Sequence, residues 1–370
     1  MLSHLLRTPL AFALVLGVLV FVHEFGHYLA ARWRGVHVDV FSIGFGRPLL
    51  RWHDKVGTEW RLCALPLGGY VKPHGFEGPE EADPQTQAGW IPGRTFHDKP
   101  VGSRAIVILA GPVFNFLLAI ILFWGLFAAF GKPSNIPAAT VAPVVGELVG
   151  GAPAARAGVE PHDRILSVAG VPTPTIGAVQ KQVVAAAGRH ITLGIERGGR
   201  QLDLPVTVGD SGGHHGVIGV MFAAPPARPL GPARALGAAV RECWTVTVQI
   251  FSGIGQMLTG QQSVDQLGGP LRIAQLSGQV SELGAASLIS FIALLSINLG
   301  LINLFPVPVL DGGRLVFYAI EAIRGRPVSR RVQEYGFRAG FALIACLFLF
   351  VTFNDLSHLG LFAWVRTFVG

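Results

Sequence analysis

The chain has 370 residues, 51% hydrophobic and only 14% charged, with a mean hydropathy of +0.50, which excludes an ordinary soluble domain and points to a membrane protein. Its net charge of +7 comes without any Lys/Arg run interleaved with aromatics, so nucleic acid is not an expected partner. Cys63, Cys243 and Cys346 lack CxxC spacing, which leaves no disulfide framework and no thiolate metal site.

The opening MLSHLLRTPLAFALVLGVLVFV imitates a signal peptide, but the apolar run continues into HEFGHYLAA and meets Arg32 and Arg34. It reads as a retained span over residues 9–31, within a first region of 1–35. In region 36–104, VHVDVFSIGFG and TEWRLCALPLGGYV alternate partly around Gly-rich turns and predict β-hairpins. Apolar residues on both faces suit hairpins that dip into the membrane beside the spans, and residues 77–93 read as a loop. Residues 105–130 (region 105–131) hold no charge and predict a second span.

Residues 138–222 alternate turn signals with short β-rich runs, as a small mixed α/β domain does. The stretch APAARAGVEPHDRILSVAG, a helix near 176–187 and the strands ITLGIER and LDLPVTV resemble a PDZ domain. Such folds bind extended peptide ends by strand addition; a rigid spacer or size filter is the other reading. In region 223–284, CWTVTVQIFSGIGQMLT is uncharged, yet its Thr, Gln, Ser and Gly content favours helices on the outer interface over a fifth span. Residues 285–310 (region 285–313) form a third span candidate, 314–335 a loop, and 336–353 (region 336–360) a fourth span with Arg338 snorkelling at one end.

Four crossings put both termini on one side. Arg32, Arg34, Arg47, Arg51, Lys55, Arg61 and Lys72 follow the first span, and Arg314, Arg324, Arg326, Arg330 and Arg331 the third, so those loops are expected to be cytoplasmic and the termini outward.

The chemistry is concentrated in His23-Glu24-Phe25-Gly26-His27. On a helix, positions i and i+4 share a face, which lets two imidazoles hold one zinc ion while Glu24 stands beside the open position as proton carrier. Ionisable groups in a span cost about 2.5–3.5 kcal/mol each on insertion scales, so three in one turn imply a bound cation or a function. A catalytic zinc site needs a third protein ligand, and the candidate is Asp311 in NLFPVPVLDGGR, where Pro306 and Pro308 break the helix at membrane depth. Four crossings bring Asp311 and the two histidines to the same end. Asn115 and Asn298 read equally as interhelical hydrogen bonders or catalytic groups. His37, His53, His74, His97 and His162 read as solvated, and His214 and His215 as a turn or a weak metal site.

HEFGH in the first span, GPVFN at 111–115 in the second and NLFPVPVLDGG at 303–313 resemble the bacterial intramembrane site-2 proteases. With PLGGYVK at 66–72 and the PDZ-like unit, the likeness is greatest to the branch that regulates sigma-E. The resemblance implies a multi-pass enzyme of the bacterial inner membrane with periplasmic termini and a periplasmic PDZ-like domain. It implies cleavage of single-span substrates within the bilayer, such as anti-sigma factors after a first outer cut and remnant signal peptides. It also implies that His23, His27 and Asp311 ligate zinc, that Glu24 is the base, and that Asn303, Gly68 and Gly69 contact substrate. Some members carry two PDZ units where this chain shows one. A metal transporter or a non-catalytic PDZ-bearing scaffold are the competing readings; neither needs Glu24 between the histidines.

Overall fold

The computed structural model describes residues 2–79, 82–132, 141–210, 216–223, 228–261 and 268–358. His214 and His215 lie outside the described residues. In chain order the elements begin with α1 Leu2–Trp33, β1 Val38–His53, β2 Glu59–Pro73, α2 Pro84–Ala88 and α3 Val101–Phe130. There follow β3 Val145–Leu148, α4 Pro153–Arg156, β4 Arg164–Val168, β5 Val171–Pro172, α5 Ile176–Val184, β6 His190–Arg197, β7 Arg200–Thr207, β8 Gly209–Asp210, β9 Gly216–Val217 and β10 Val220–Phe222. The chain closes with α6 Pro232–Leu258, α7 Pro270–Glu282, α8 Ala285–Leu304, α9 Asp311–Arg324 and α10 Arg330–His358. Two compact units result, residues 1–128 with 231–370, and residues 129–230.

In the first unit four helices are long and apolar enough to cross a membrane: α1 from Arg7, α3, α8, and α10 as far as Leu356. The protein is therefore a polytopic helical membrane protein. Leu10, Leu14, Ile121, Phe341 and Leu347 stay exposed because hydrocarbon, not protein, covers them. α10 starts at Arg330, earlier than the apolar run at 336 implies, because its first turns are polar.

The region expected to hold separate hairpins forms one long antiparallel hairpin, paired from His53↔Glu59 at the tip to Val38↔Pro73 at the base. It bends back on itself, so Val40 to Ile43 also pair with Glu59 to Leu62, and Trp60 stacks on Phe41 with centroids 4.3 Å apart. That curl explains why both faces are apolar: one lines the inside of the bend and the other stays outside. The tip is fixed to α1, since Asp54 Oδ2 accepts from Tyr28 Oη (3.0 Å) and Trp60 Nε1 (3.1 Å). Beyond the hairpin, two histidines expected to be solvated are structural. His74 bonds Asp39 Oδ1 (2.8 Å) and accepts from Ile91 N (2.9 Å), and His97 Nδ1 donates to the Gly75 carbonyl (2.9 Å), so the two rings pin the loop after β2.

Two segments depart further from expectation. The loop expected at 314–335 is largely α9, whose charged residues interrupt the apolar run without breaking helical periodicity: Leu315 and Tyr318 pack on the core while Ile323 and Arg324 face out. α6 is one helix, Pro232–Leu258, that runs along the bundle. Trp124 Nε1, near the end of α3, donates to Pro232 O (3.0 Å), while Phe251, near the other end of α6, meets Phe305 just past α8 (6.4 Å). Ala235, Ala239 and Cys243 pack inward, while the outward face mixes apolar Leu236, Val240 and Trp244 with exposed Arg234, Arg241 and Gln249. The threonines that suggested an interface satisfy themselves: Thr245 and Thr247 hydroxyls donate to the carbonyls four residues back. α7 then braces the first and last spans, because Asp355 of α10 accepts from Gly269 N and Arg272 N at its start and Arg7 of α1 donates to Ser281 O at its end.

In the second unit a four-stranded sheet of order β5-β4-β6-β7 packs α5 through Val179 and Val183 onto Ile165, Leu193 and Ile195. Asp163 is buried and receives Arg197 Nε at 2.8 Å and Nη2 at 2.7 Å. Burial alone would raise the Asp163 carboxyl; the Arg197 guanidinium and the Glu160 amide more than offset it and hold the group below the ordinary carboxylate range. A depressed carboxylate stabilises the folded state above its unfolded pKa, about 3.9, and that contribution is lost as pH falls through the folded value. Arg197→Ala in the full-length protein is expected to speed hydrogen exchange at Ile165, Leu193 and Ile195 by about tenfold or more at pH 7, with a smaller effect at pH 3. Equal effects at both pH values would remove the ion pair from the account.

Candidate metal centre and active site

α1 and α3 approach closely. A Cβ on Gly26 would stand 2.5 Å from the Ala110 carbonyl oxygen, and one on Gly111 would overlap the His27 ring, with His23 Cε1 only 2.8 Å away. The missing side chain at Gly111 is the space in which the two imidazoles sit. His27 Nδ1 donates to the Val107 carbonyl at 2.8 Å, which fixes the proton on Nδ1 and leaves Nε2 as the free lone pair.

His23 is oriented by Asn115. The side-chain amide of Asn115 lies 3.1 Å from His23 Nδ1, while Asn115 Oδ1, buried, has no partner. Amide orientation is set by the hydrogen-bond network, and turning this one satisfies both groups: Nδ1–H donates to Oδ1, and His23 Nε2 is freed like that of His27. Asn115 is itself held from α8, where Ser296 Oγ donates to its carbonyl at 2.8 Å and Gly300 packs close to its Cβ.

Asp311 arrives from the opposite end of the sequence as the first residue of α9. The turn before it is compressed: a Cβ on Gly312 would overlap the carbonyls of Leu304 and Phe305, and one on Gly313 the Val307 carbonyl and Pro308 Cα. The helix start favours a carboxylate there. The result is a nearly equilateral triangle: His23 Nε2 to His27 Nε2 3.3 Å, His23 Nε2 to Asp311 Oδ2 3.2 Å, His27 Nε2 to Asp311 Oδ2 3.4 Å. A tetrahedral zinc with bonds of about 2.0–2.1 Å places its ligand atoms about 3.3 Å apart. Asp311 Oδ2 is buried without a hydrogen bond, as an oxygen reserved for a cation would be. Among the described residues, His23, His27 and Asp311 are the group that can hold a metal ion.

Glu24 stands one residue from His23 and half-buried. β2 passes directly against it, since a Cβ on Gly69 would lie 2.6 Å from Ser42 O, 2.8 Å from Val20 and 3.2 Å from Glu24 Cγ. Gly68, at φ +99°, lies under the Phe45 ring. Asn303 is elsewhere engaged: its Nδ2 donates to the Leu299 carbonyl one turn back in α8, at 3.0 Å. Sequence reasoning did not find Gly111 or the Val107 carbonyl, and for Asn115 it left the role open. The signal was GPVFN, in which Gly111 and Asn115 are one turn apart on the face toward α1. Asn115→Ala is expected to weaken zinc binding about 10–100-fold in chelator competition while the helical circular-dichroism signal is kept. Gly111→Ala is expected to abolish stoichiometric zinc.

The profile of peptidase family M50 matches residues 11–347. The chain is 41% identical over 375 residues to a Rhizobium meliloti (strain 1021) protein named, provisionally, as a zinc metalloprotease, covering 97% of this chain and 99% of that one. It is 37% identical to Metalloprotease MmpA of Caulobacter vibrioides, over 95% of this chain and 96% of the relative. To the regulator of sigma-E protease RseP of Escherichia coli (strain K12) it is 33% identical, over 94% of this chain and 98% of the relative. With the family profile spanning residues 11–347 and relatives matched almost end to end, the chain belongs to peptidase family M50, the site-2 proteases: the protein is a zinc metalloprotease.

Proposed function

We propose that the protein is an intramembrane endopeptidase that cuts single-span substrates within the bilayer. The observation that carries this reading is the triangle of His23, His27 and Asp311 among four spanning helices, with a β-strand running past Glu24. Zinc held by His23, His27 and Asp311 would supply a Lewis acid able to polarise a carbonyl and acidify a water. Glu24 takes the proton from that water and passes it to the departing amine. α3 keeps both imidazoles in the tautomer that leaves Nε2 unprotonated, through Val107 and Asn115.

A peptide bond inside a transmembrane helix is poorly exposed, so the substrate must be held extended. Residues 69–73 of β2 pair with β1, and at Gly69 the strand lies against Val20 and Glu24 of α1. A substrate strand added there, at Gly68 and Gly69, would bring its carbonyls alongside the site, with Asn303 as a further contact once released from Leu299. Exposed Phe45, Leu49, Leu50, Trp52 and Leu65 support a hairpin that dips into the membrane, on the cytoplasmic side by the charge pattern.

The second unit, with its antiparallel sheet and α5, acts as a periplasmic PDZ-like domain that binds extended ends or excludes bulky substrates. The setting is the inner membrane, with both termini periplasmic. The substrates are anti-sigma-like single-span proteins after an outer cut and remnant signal peptides, which places the enzyme in envelope stress signalling.

Glu24→Gln is expected to lower cleavage of a single-span reporter by about 10²–10⁴-fold with zinc content unchanged. Normal cleavage by this variant would overturn the mechanism. Asp311→Ala is expected to lose zinc in detergent-purified protein, and full metal stoichiometry would move the third ligand elsewhere.

A further inference from the structure

A cavity of about 880 Å³ lies away from the metal ligands, between α9, α10, the start of α3 and the segment following β2. That volume suits a small-molecule site. Its lining is cationic and aromatic. Glu321 is paired with Arg104 at 2.5 Å, Glu334 with Arg330 at 3.3 Å, and Glu77 with Lys72 at 3.0 Å. Two guanidiniums remain: Arg314 of α9, partly buried over the Phe76 ring (4.6 Å), and Arg338 of α10, exposed. Neither has an acidic partner among the described residues.

Above the cavity α10 turns apolar side chains outward, with Phe337 at its rim and Phe341 one turn on, both exposed. Two free arginines below a lipid-facing aromatic ridge, at the end of the bundle where basic residues collect, match the headgroup and acyl chains of an anionic lipid. We propose that this cavity binds the phosphate of an anionic phospholipid between Arg314 and Arg338, with the acyl chains lying along Phe337 and Phe341.

The site has a reason to matter. α10 seats on the turn that presents Asp311: a Cβ on Gly336 would stand 3.3 Å from Pro308 Cγ and from the Phe317 ring, and one on Gly340 3.2 Å from Pro308 Cδ and Val307 Cγ1. This small-xxx-small pair lets the helix lie directly on residues 307–308. A headgroup joining Arg314 to Arg338 clamps α9 to α10 over that turn and holds the third metal ligand in place.

The test is lipid binding by purified full-length protein in non-ionic detergent, read by native mass spectrometry during titration with short-chain phosphatidylglycerol or phosphatidylcholine. The expected result is a clear preference for phosphatidylglycerol and an affinity about 30-fold lower in Arg314→Gln/Arg338→Gln, each guanidinium contributing about fivefold. Arg314→Lys/Arg338→Lys is expected to retain most of the affinity, and Arg324→Gln/Arg326→Gln, outside the cavity, all of it. The helical circular-dichroism signal and a monodisperse elution profile report folding of each variant. Equal binding of the two lipids, or undiminished binding by the double Gln variant, overturns the proposal. Displacement by inorganic phosphate at matched concentration reassigns the cavity to free phosphate and overturns the lipid. Tighter binding of a Glu-rich peptide than of phosphatidylglycerol reassigns it to polypeptide.

Discussion

The structure depends on one close approach. α1 and α3 meet at Gly26 and Gly111 with no room for a methyl group at either, so the two histidines of α1 press into the surface of α3 and take their hydrogen bonds from it. In a bilayer, helices gain no hydrophobic driving force from touching, and small residues and polar contacts must hold them. Here those contacts also set the tautomers. A larger residue at 111 would remove the space for the imidazoles and, with it, the site.

From that contact outward, each further element supplies one constraint. α8 fixes Asn115 through Ser296, and the proline-broken turn after α8 swings Asp311 back to the histidines. The hairpin closes the remaining side, anchored at its tip by Asp54 to Tyr28 and at its base by Gly69 against Glu24. α7 joins the ends of the first and last spans, so α1, which carries both histidines, is tied to α10 at its far end as well. Ionisable groups in hydrocarbon are costly, and here the two histidines have fixed partners on α3 and converge with Asp311 in a group that could hold a metal ion.

Regularity and its absence divide the polar work. Pro306 and Pro308 prevent α8 from continuing, which frees carbonyls that Gly312 and Gly313 then pack against. α6, although it lies along the bundle, is not apolar enough to count among the four spans; Thr245 and Thr247 bond to its own backbone, and Arg234 and Arg241 stand on its outward face among Val240 and Trp244. Hydropathy averages the residues of a helix, whereas hydrocarbon responds only to groups left unsatisfied.

Much of this was written in the sequence. Four apolar runs, HExxH at one-turn spacing and an acid after a double proline are local patterns, and local patterns survive without knowledge of the fold. Legible too were the β character of residues 38–73 and the strand and helix runs of the second unit. What only the tertiary structure decided is which groups meet. That Val107 and Asn115 orient the two histidines, that Gly111 is the space they occupy, that the hairpin curls back with Gly69 on Glu24, and that α6 runs beside α8 all depend on contacts between residues distant in the chain. Such contacts leave little trace in composition or periodicity: a glycine needed for close approach is the same letter as a glycine in a turn, and an asparagine that orients a ligand is the same letter as one that bonds a neighbouring helix.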